Sequence, residues 1–158
     1  MKLKKLLLAT LLFATFTSTL TAQEYETAIG IRLGYDNGIS GRHFFMPFHA
    51  VEGIVSFSSN SFKITGLYQF QQIFLEFDNL DWYVGAGMHI GSLTRSRQQA
   101  LGANHAFLLG FDLIAGVEYA FPTLPFALSL DWKPSFSLTH RLNDWFYGFG
   151  LTLRYTFR

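Results

Sequence analysis

A chain of 158 residues is long enough for one domain. Only 15% of it is charged, against roughly 25% in ordinary soluble proteins, so charge is too scarce to cover a wet surface. Cysteine is absent, which excludes a disulfide scaffold and a thiolate metal site, and a formal charge of +1 offers no footprint for nucleic acid.

The first 22 residues have the layout of a secretory signal. MKLKK is the positive start, LLLATLLFATF a short apolar run, and TLTA a small-residue end. Cleavage is predicted after Ala22, leaving 23–158 as the mature chain. A membrane-spanning helix needs about 20 apolar residues, more than this run supplies. Loss of Lys2, Lys4 and Lys5 leaves nine Lys and Arg against eleven Asp and Glu, a formal charge of −2.

Beyond the signal the pattern has period two, the signature of strands. TAIGIRLGY sets Ile29, Ile31, Leu33 and Tyr35 against Ala28, Gly30, Arg32 and Gly34. DNG (36–38) is a hairpin-turn signal. ISGRHFF, VEGIVSF and FKITGLYQF follow, with Arg42, Glu52 and Lys63 on the polar side. Their alternation is blurred: Ile54 and Leu67 fall among the polar positions, Gly53 and Gly66 among the apolar ones. WYVGAGMHIG sets Val84, Ala86, Met88 and Ile90 against Tyr83, His89 and glycines. AFLLGFDLIAGVEYAF places Leu113 and Val117 opposite in parity to Asp112 and Glu118. FALSLDWKPSFSL does the same with Leu128, Leu130 and Trp132 against Ser129, Asp131 and Lys133. FYGFGLTLRYTFR closes the series with Phe149, Leu151 and Leu153 against Thr152 and Arg154. The spacing predicts eight strands, near 27–35, 39–46, 50–57, 62–72, 82–92, 106–121, 126–137 and 146–157.

The distribution of side-chain types decides between a soluble and a membrane barrel. An eight-stranded interior is narrow, and the bulky parity does not fit it. The parity rich in Gly, Ser, Thr and Ala does. The predicted class is therefore all-β, an eight-stranded antiparallel up-and-down transmembrane barrel, with bulky residues facing lipid. Closure pairs every backbone group, as hydrocarbon demands, and an even strand number suits a bacterial barrel. Trp82, Phe121, Phe126, Trp132, Tyr147, Tyr155 and Phe157 are candidates for interfacial aromatic girdles. Export plus barrel strands predicts the bacterial outer membrane, with both chain ends in the periplasm. Connections at 36–38, 58–61, 93–105 and 138–145 then face outside, and 47–49, 73–81 and 122–125 face the periplasm.

The signal, the eight amphipathic strands and the ending LTLRYTFR resemble the small eight-stranded outer-membrane barrels of Gram-negative bacteria, the group of the OmpA transmembrane domain and OmpX. GIRLGYDNGISGRHFF, GFDLIAGVEYAFPTLPFALSLDWKPSF and LRYTFR resemble short Bacteroidetes-type outer-membrane barrels in particular. The resemblance spans the mature chain and is generic for activity. It implies an aromatic signal at the end of the last strand, here Tyr155 and Phe157, read by the outer-membrane assembly machinery. Arg158 as the final residue departs from that pattern.

The inward parity collects Arg32, Arg42, Glu52, Lys63, His89, Asp112, Glu118, Asp131, Lys133 and Arg154: five bases, four acids and one histidine. Near balance predicts ion pairs and water plugging the lumen, because an unpaired buried charge is costly. A narrow conducting channel is the alternative. If residues 35 and 39 face each other across the first turn, Arg32 lies near Arg42 and the two need a carboxylate. His89, His105 and His140 match no metal motif. Ser135, Ser137 and His140, with Asp144, raise a hydrolase reading. SLTHRLND lacks the His-x-Ser-Asn pattern of the lipid A deacylase barrel. Arg95, Arg97 and Arg141 lie on outer connections, either as solvated charges or as contacts for lipopolysaccharide phosphates.

The expected function is that of a non-enzymatic integral outer-membrane protein with a plugged polar lumen, serving envelope structure or surface interaction. A lipid A- or phospholipid-modifying enzyme and a small-solute channel are the alternatives. The expected partners are outer-membrane lipids, with no cofactor, no metal and a monomeric state.

Overall fold

The structure, a computed structural model, describes residues 25–59, 61–74, 77–102, 104–139, 143–144 and 148–157. The predicted signal at 1–22 lies outside them, as do His140, Arg141, Tyr147 and Arg158. The strands are β1 (Thr27–Gly34), β2 (Asn37–Met46), β3 (His49–Phe57), β4 (Ser61–Ile73), β5 (Leu80–Leu93), β6 (Phe107–Ala120), β7 (Phe126–Trp132), β8 (Ser135–Ser137), β9 (Asn143–Asp144) and β10 (Phe149–Phe157). All neighbours pair antiparallel, β1 pairs with β10, and β5 pairs with β6, so the sheet closes on itself. β7 and β8 form one stave: Trp132 faces Ala115 and Ser135 faces Asp112, with register unbroken through Pro134. β9 and β10 lie along the eighth. This is an eight-stranded antiparallel up-and-down barrel.

Its polarity is inverted relative to a soluble barrel. Ile31 (62% exposed), Leu130 (54%) and Leu153 (50%) stand on the outer wall, while Arg32, Arg42 and Arg154 are at most 1% exposed. Leu33, Val84, Leu113, Val117, Leu128, Phe149 and Leu151 are also exposed, and Trp132 is half-buried on the same face. A soluble monomer seldom exposes an apolar patch above a few hundred Å², and here the apolar face runs round the whole wall. Hydrocarbon is the solvent that makes such a wall favourable, so the barrel is of the transmembrane kind.

The blurred parity of β3 and β4 has a simple resolution. Ile54 and Leu67 do point inward, where they pack with Tyr83 and Ile114. Gly53 and Gly66 pair with each other on the outer face, continuing a row from Gly41.

Two boundaries differ from expectation. The first turn is Tyr35–Asp36, two residues earlier than DNG suggests, because β2 already begins at Asn37. Gly34 takes a φ of 146°, and its N–H donates to the Asn37 side chain at 3.0 Å. A Cβ there would meet the Phe149 carbonyl at 2.3 Å, so glycine is required. Ile31 consequently faces Ile39, Arg32 faces Gly38, and Arg42 faces Ala28. The pairing of residues 35 and 39 does not occur, and the two arginines sit at different depths. The other boundary is the long 72–80 segment. β4 and β5 both extend into it, β4 ending at Ile73 and β5 beginning at Leu80. The polar segment 93–105, expected as a plain connection, contains a short helix, α1 (Arg95–Ala100).

Candidate functional site in the lumen

The first strand begins and the last strand ends at one rim, since Thr27 pairs with Phe157. From this terminal rim to the opposite loop rim, the interior is stacked in layers.

The bottom layer is apolar: Tyr25, Ala28, Phe44, Ala50, Ala120 and Ala127. Tyr25 and Phe44 meet edge to face at 5.4 Å. Above them sits a ring of two guanidiniums and two carboxylates. Arg42 reaches Glu52 at 3.0 Å and Glu118 at 3.0 Å, and Arg154 reaches Glu52 at 2.6 Å and Glu118 at 2.8 Å. Each arginine thus bridges both acids, which suits the planar fork of guanidinium donors. Ser40 and Gln69 donate to Glu52, each at 2.6 Å, Gln71 donates to Glu118 at 3.2 Å, and the Tyr25 hydroxyl donates to Glu118 as well. Arg42 also lies over the Tyr83 ring, 4.5 Å from its centroid.

Halfway up, Arg32 pairs with Asp131 at 2.6 Å, and Tyr83 donates to the same carboxylate oxygen at 3.1 Å. The guanidinium lies flat against Gly150, where a Cβ would stand 2.3 Å from its central carbon. Ile54, Leu67 and Ile114 pack with Tyr83 at this level.

The top layer is built differently. Asp36 accepts from Lys63 at 2.9 Å and from Lys133 at 3.5 Å. Lys133 also reaches Asp112 at 3.3 Å and the Ser135 hydroxyl at 3.3 Å. His89 Nδ1 lies 2.7 Å from Asp112 Oδ2, and Ser135 donates to the other oxygen of Asp112. Asp36 belongs to the turn, outside the strands. Burial alone would raise its pKa, but Lys63 and then Lys133 outweigh it, so its carboxyl is held below the ordinary value. Above this layer a cavity of about 50 Å³ opens toward the loop rim, walled by residues that include Asp36, Ser61, Lys63, His89 and Arg97.

All ten inward charges named from the sequence are buried here, each with a charged partner. The structure separates them into an arginine ring, an Arg32–Asp131 pair and a lysine–histidine cluster. Asp36, a turn residue by its sequence context, is the carboxylate that both lysines share. Tyr25, Ser40, Gln69 and Gln71 also went unnamed, although Gln69 and Gln71 share the parity of Lys63 and so carried a legible signal. Ser135 bonds Asp112, while the partners proposed for it, His140 and the Asp144 side chain, lie outside what is described. Arg97 projects from α1 onto the cavity wall, and Arg95 is exposed on the same helix. Among the described residues, no group of three His, Asp or Glu is placed to hold a metal ion.

At the terminal rim, Phe126, Tyr155 and Phe157 form an outward aromatic run, with rings 5.6 Å and 5.0 Å apart. Trp82 and Phe121 are half-buried near the same rim.

No family model matches the chain, and no curated protein does. A search of solved structures finds Neisserial surface protein A (NspA), 14% identical, with a TM-score of 0.49, covering 83% of this chain and 93% of that one. The fold assignment rests on the closed ladder and the apolar outer wall.

Proposed function

We propose that the chain is an integral outer-membrane protein, exported by the signal at 1–22, whose lumen is closed by its own side chains. It performs no catalysis. It contributes to envelope structure or presents its loop rim as an external surface, with the terminal rim in the periplasm. Its partners are outer-membrane lipids and the assembly machinery, for which Tyr155 and Phe157 are the recognition residues.

The observation that carries this reading is the Arg42–Glu52–Arg154–Glu118 ring. Each guanidinium holds both carboxylates, the side chains are essentially without solvent contact, and a cluster of buried apolar residues lies beneath them. An ion crossing this level must break charge-assisted hydrogen bonds at low dielectric. Acyl transfer would need a serine hydroxyl aimed at a histidine. Ser135 instead donates to Asp112, which supports the non-catalytic reading.

Planar-bilayer recording tests it. The wild-type protein is expected to give no steady ion current, and a reproducible unitary conductance would overturn the plugged lumen. Heat-modifiable gel mobility and a need for detergent test membrane residence. Leu130→Arg is expected to weaken insertion by about 2–4 kcal/mol, as for a cation at the lipid midplane.

A further inference from the structure

The outer wall carries one polar spot that its apolar character does not explain. Among the described strand side chains, His43 and His49 are the only outward ones that bear an imidazole or a charge. Both lie toward the terminal rim, His43 exposed and His49 half-buried. His43 stands opposite Thr27 on β1 and Val51 on β3, and its Nδ1 lies 2.9 Å from the Thr27 hydroxyl. His49 begins β3, and its Nδ1 lies 2.6 Å from the Tyr68 hydroxyl of β4. With each hydroxyl donating, the ring proton resides on Nε2. Neither Nε2 has a hydrogen-bond partner among the described residues. A bare N–H at an apolar surface is costly, so each ring calls for an acceptor from outside the chain.

A second feature adjoins the first. Gly41, Gly53 and Gly66 are register partners across β2, β3 and β4. A Cβ built on any of them meets no atom within 4 Å. The row is a trough in the wall, bounded on its rim side by His43, Val51 and Tyr68, each two residues along the same strand. His49 stands two residues beyond Val51, nearer the rim. Two residues advance a strand by about 6.8 Å, which is about 5 Å in depth at the usual tilt of a membrane barrel. From the rim inward the wall therefore presents one N–H donor, a second N–H donor and an apolar trough, in steps of about 5 Å. A glycerophospholipid has the same order: phosphodiester, ester carbonyl, acyl chain.

We propose that this wall of β2–β4 seats one glycerophospholipid molecule. His49 Nε2–H donates to a phosphodiester oxygen, His43 Nε2–H donates to an ester carbonyl, and an acyl chain lies over the three glycines. This rests on the membrane reading and deepens it: with the terminal rim in the periplasm, the lipid belongs to the periplasmic leaflet. The seat is continuous with the lipid-facing wall. A second copy of the chain is the poorer occupant, because the described outward strand side chains carry no carboxylate to meet the two rings.

Native mass spectrometry of the folded barrel in a non-ionic detergent tests the seat, using phosphatidylglycerol, its ether-linked analogue and a diacylglycerol with the same chain lengths. One retained phosphatidylglycerol per barrel is expected. Diacylglycerol lacks the phosphate and should be retained about tenfold less, the size of one charge-assisted hydrogen bond. The ether analogue lacks the carbonyls and should be retained about threefold to fivefold less. His49→Phe should abolish the preference over diacylglycerol, and His43→Leu the preference over the ether analogue. Gly53→Leu, which fills the trough, should weaken retention of all three lipids about fourfold, as for one methylene left unburied. Equal retention of phosphatidylglycerol and diacylglycerol overturns the proposal. So does an unchanged preference in either folded histidine variant, or unchanged retention in folded Gly53→Leu. A dimer without retained lipid gives the wall to a second copy and overturns it too. Heat-modifiable mobility judges the barrel separately in each variant, and where a variant does not fold, the wild-type lipid comparison decides.

Discussion

The lower and upper halves of the lumen solve one problem, charge inside a membrane, in two ways. Below, Arg42 and Arg154 each clasp Glu52 and Glu118, at distances from 2.6 to 3.0 Å. Above, Lys63 and Lys133 meet Asp36 and Asp112 at 2.9 to 3.5 Å, and the Lys63 side chain retains 8% exposure. The residue types explain the contrast. A guanidinium presents a rigid fork that can hold two carboxylates at once. An ammonium is a strongly hydrated point charge on a flexible stem. The lower ring is closely paired on every side, and the upper cluster is looser and borders a small cavity.

Breaking the ring should have the largest effect. Arg154→Met leaves two buried glutamates with one guanidinium between them, and a loss of about 3–5 kcal/mol is expected in urea unfolding from lipid vesicles. A loss below 1 kcal/mol would mean that the ring is wetter than its burial implies. The same measurement on Lys63→Met should give about 1–2 kcal/mol, since Lys133 still faces Asp36 and the cavity admits water. Equal losses at the two sites would erase the distinction between the halves.

Salt sharpens it further. Raising ionic strength to 1 M shortens the screening length to about 3 Å, which should erode the stabilisation lost in Lys63→Met and leave that lost in Arg154→Met nearly unchanged. The smallest effect concerns pH. The Asp36 carboxyl is held below its ordinary value in the folded protein, so its contribution is present above the unfolded pKa of about 3.9 and disappears as pH falls through the lower folded value. The stability difference between wild type and Asp36→Asn should thus be constant from pH 7 to 5 and shrink on further acidification. A difference that grows with acid would reverse the sign of the coupling.

Much of this architecture is legible in one dimension. Strict alternation in β1, β6, β7 and β10 places Arg32, Asp112, Asp131 and Arg154 inside, and Leu33, Leu113, Leu130 and Leu153 outside, before any contact is known. β3 and β4 were harder, because Ile54 and Leu67 sit inside among polar neighbours and Gly53 and Gly66 sit outside. Composition misleads where an apolar layer belongs to the lumen. The turn signal DNG points to the right hairpin at the wrong register, since the bond donated by Gly34 N–H to the Asn37 side-chain oxygen and the positive φ of Gly34 settle the turn two residues earlier.

What the chain determined by itself is sidedness, because period two is a local property of an extended backbone. That property decides which residues must be buried, and it implies a barrel whose polarity suits lipid. The tertiary structure alone decided the partners. Arg154 meets Glu52 across 102 positions of sequence, and Lys133 meets Asp36 across 97. Such pairs depend on closure, strand stagger and the depth of each turn, and no local pattern encodes those quantities. For the same reason Asp36 reads as a turn residue in the sequence and becomes the acid of the upper cluster only when the barrel closes.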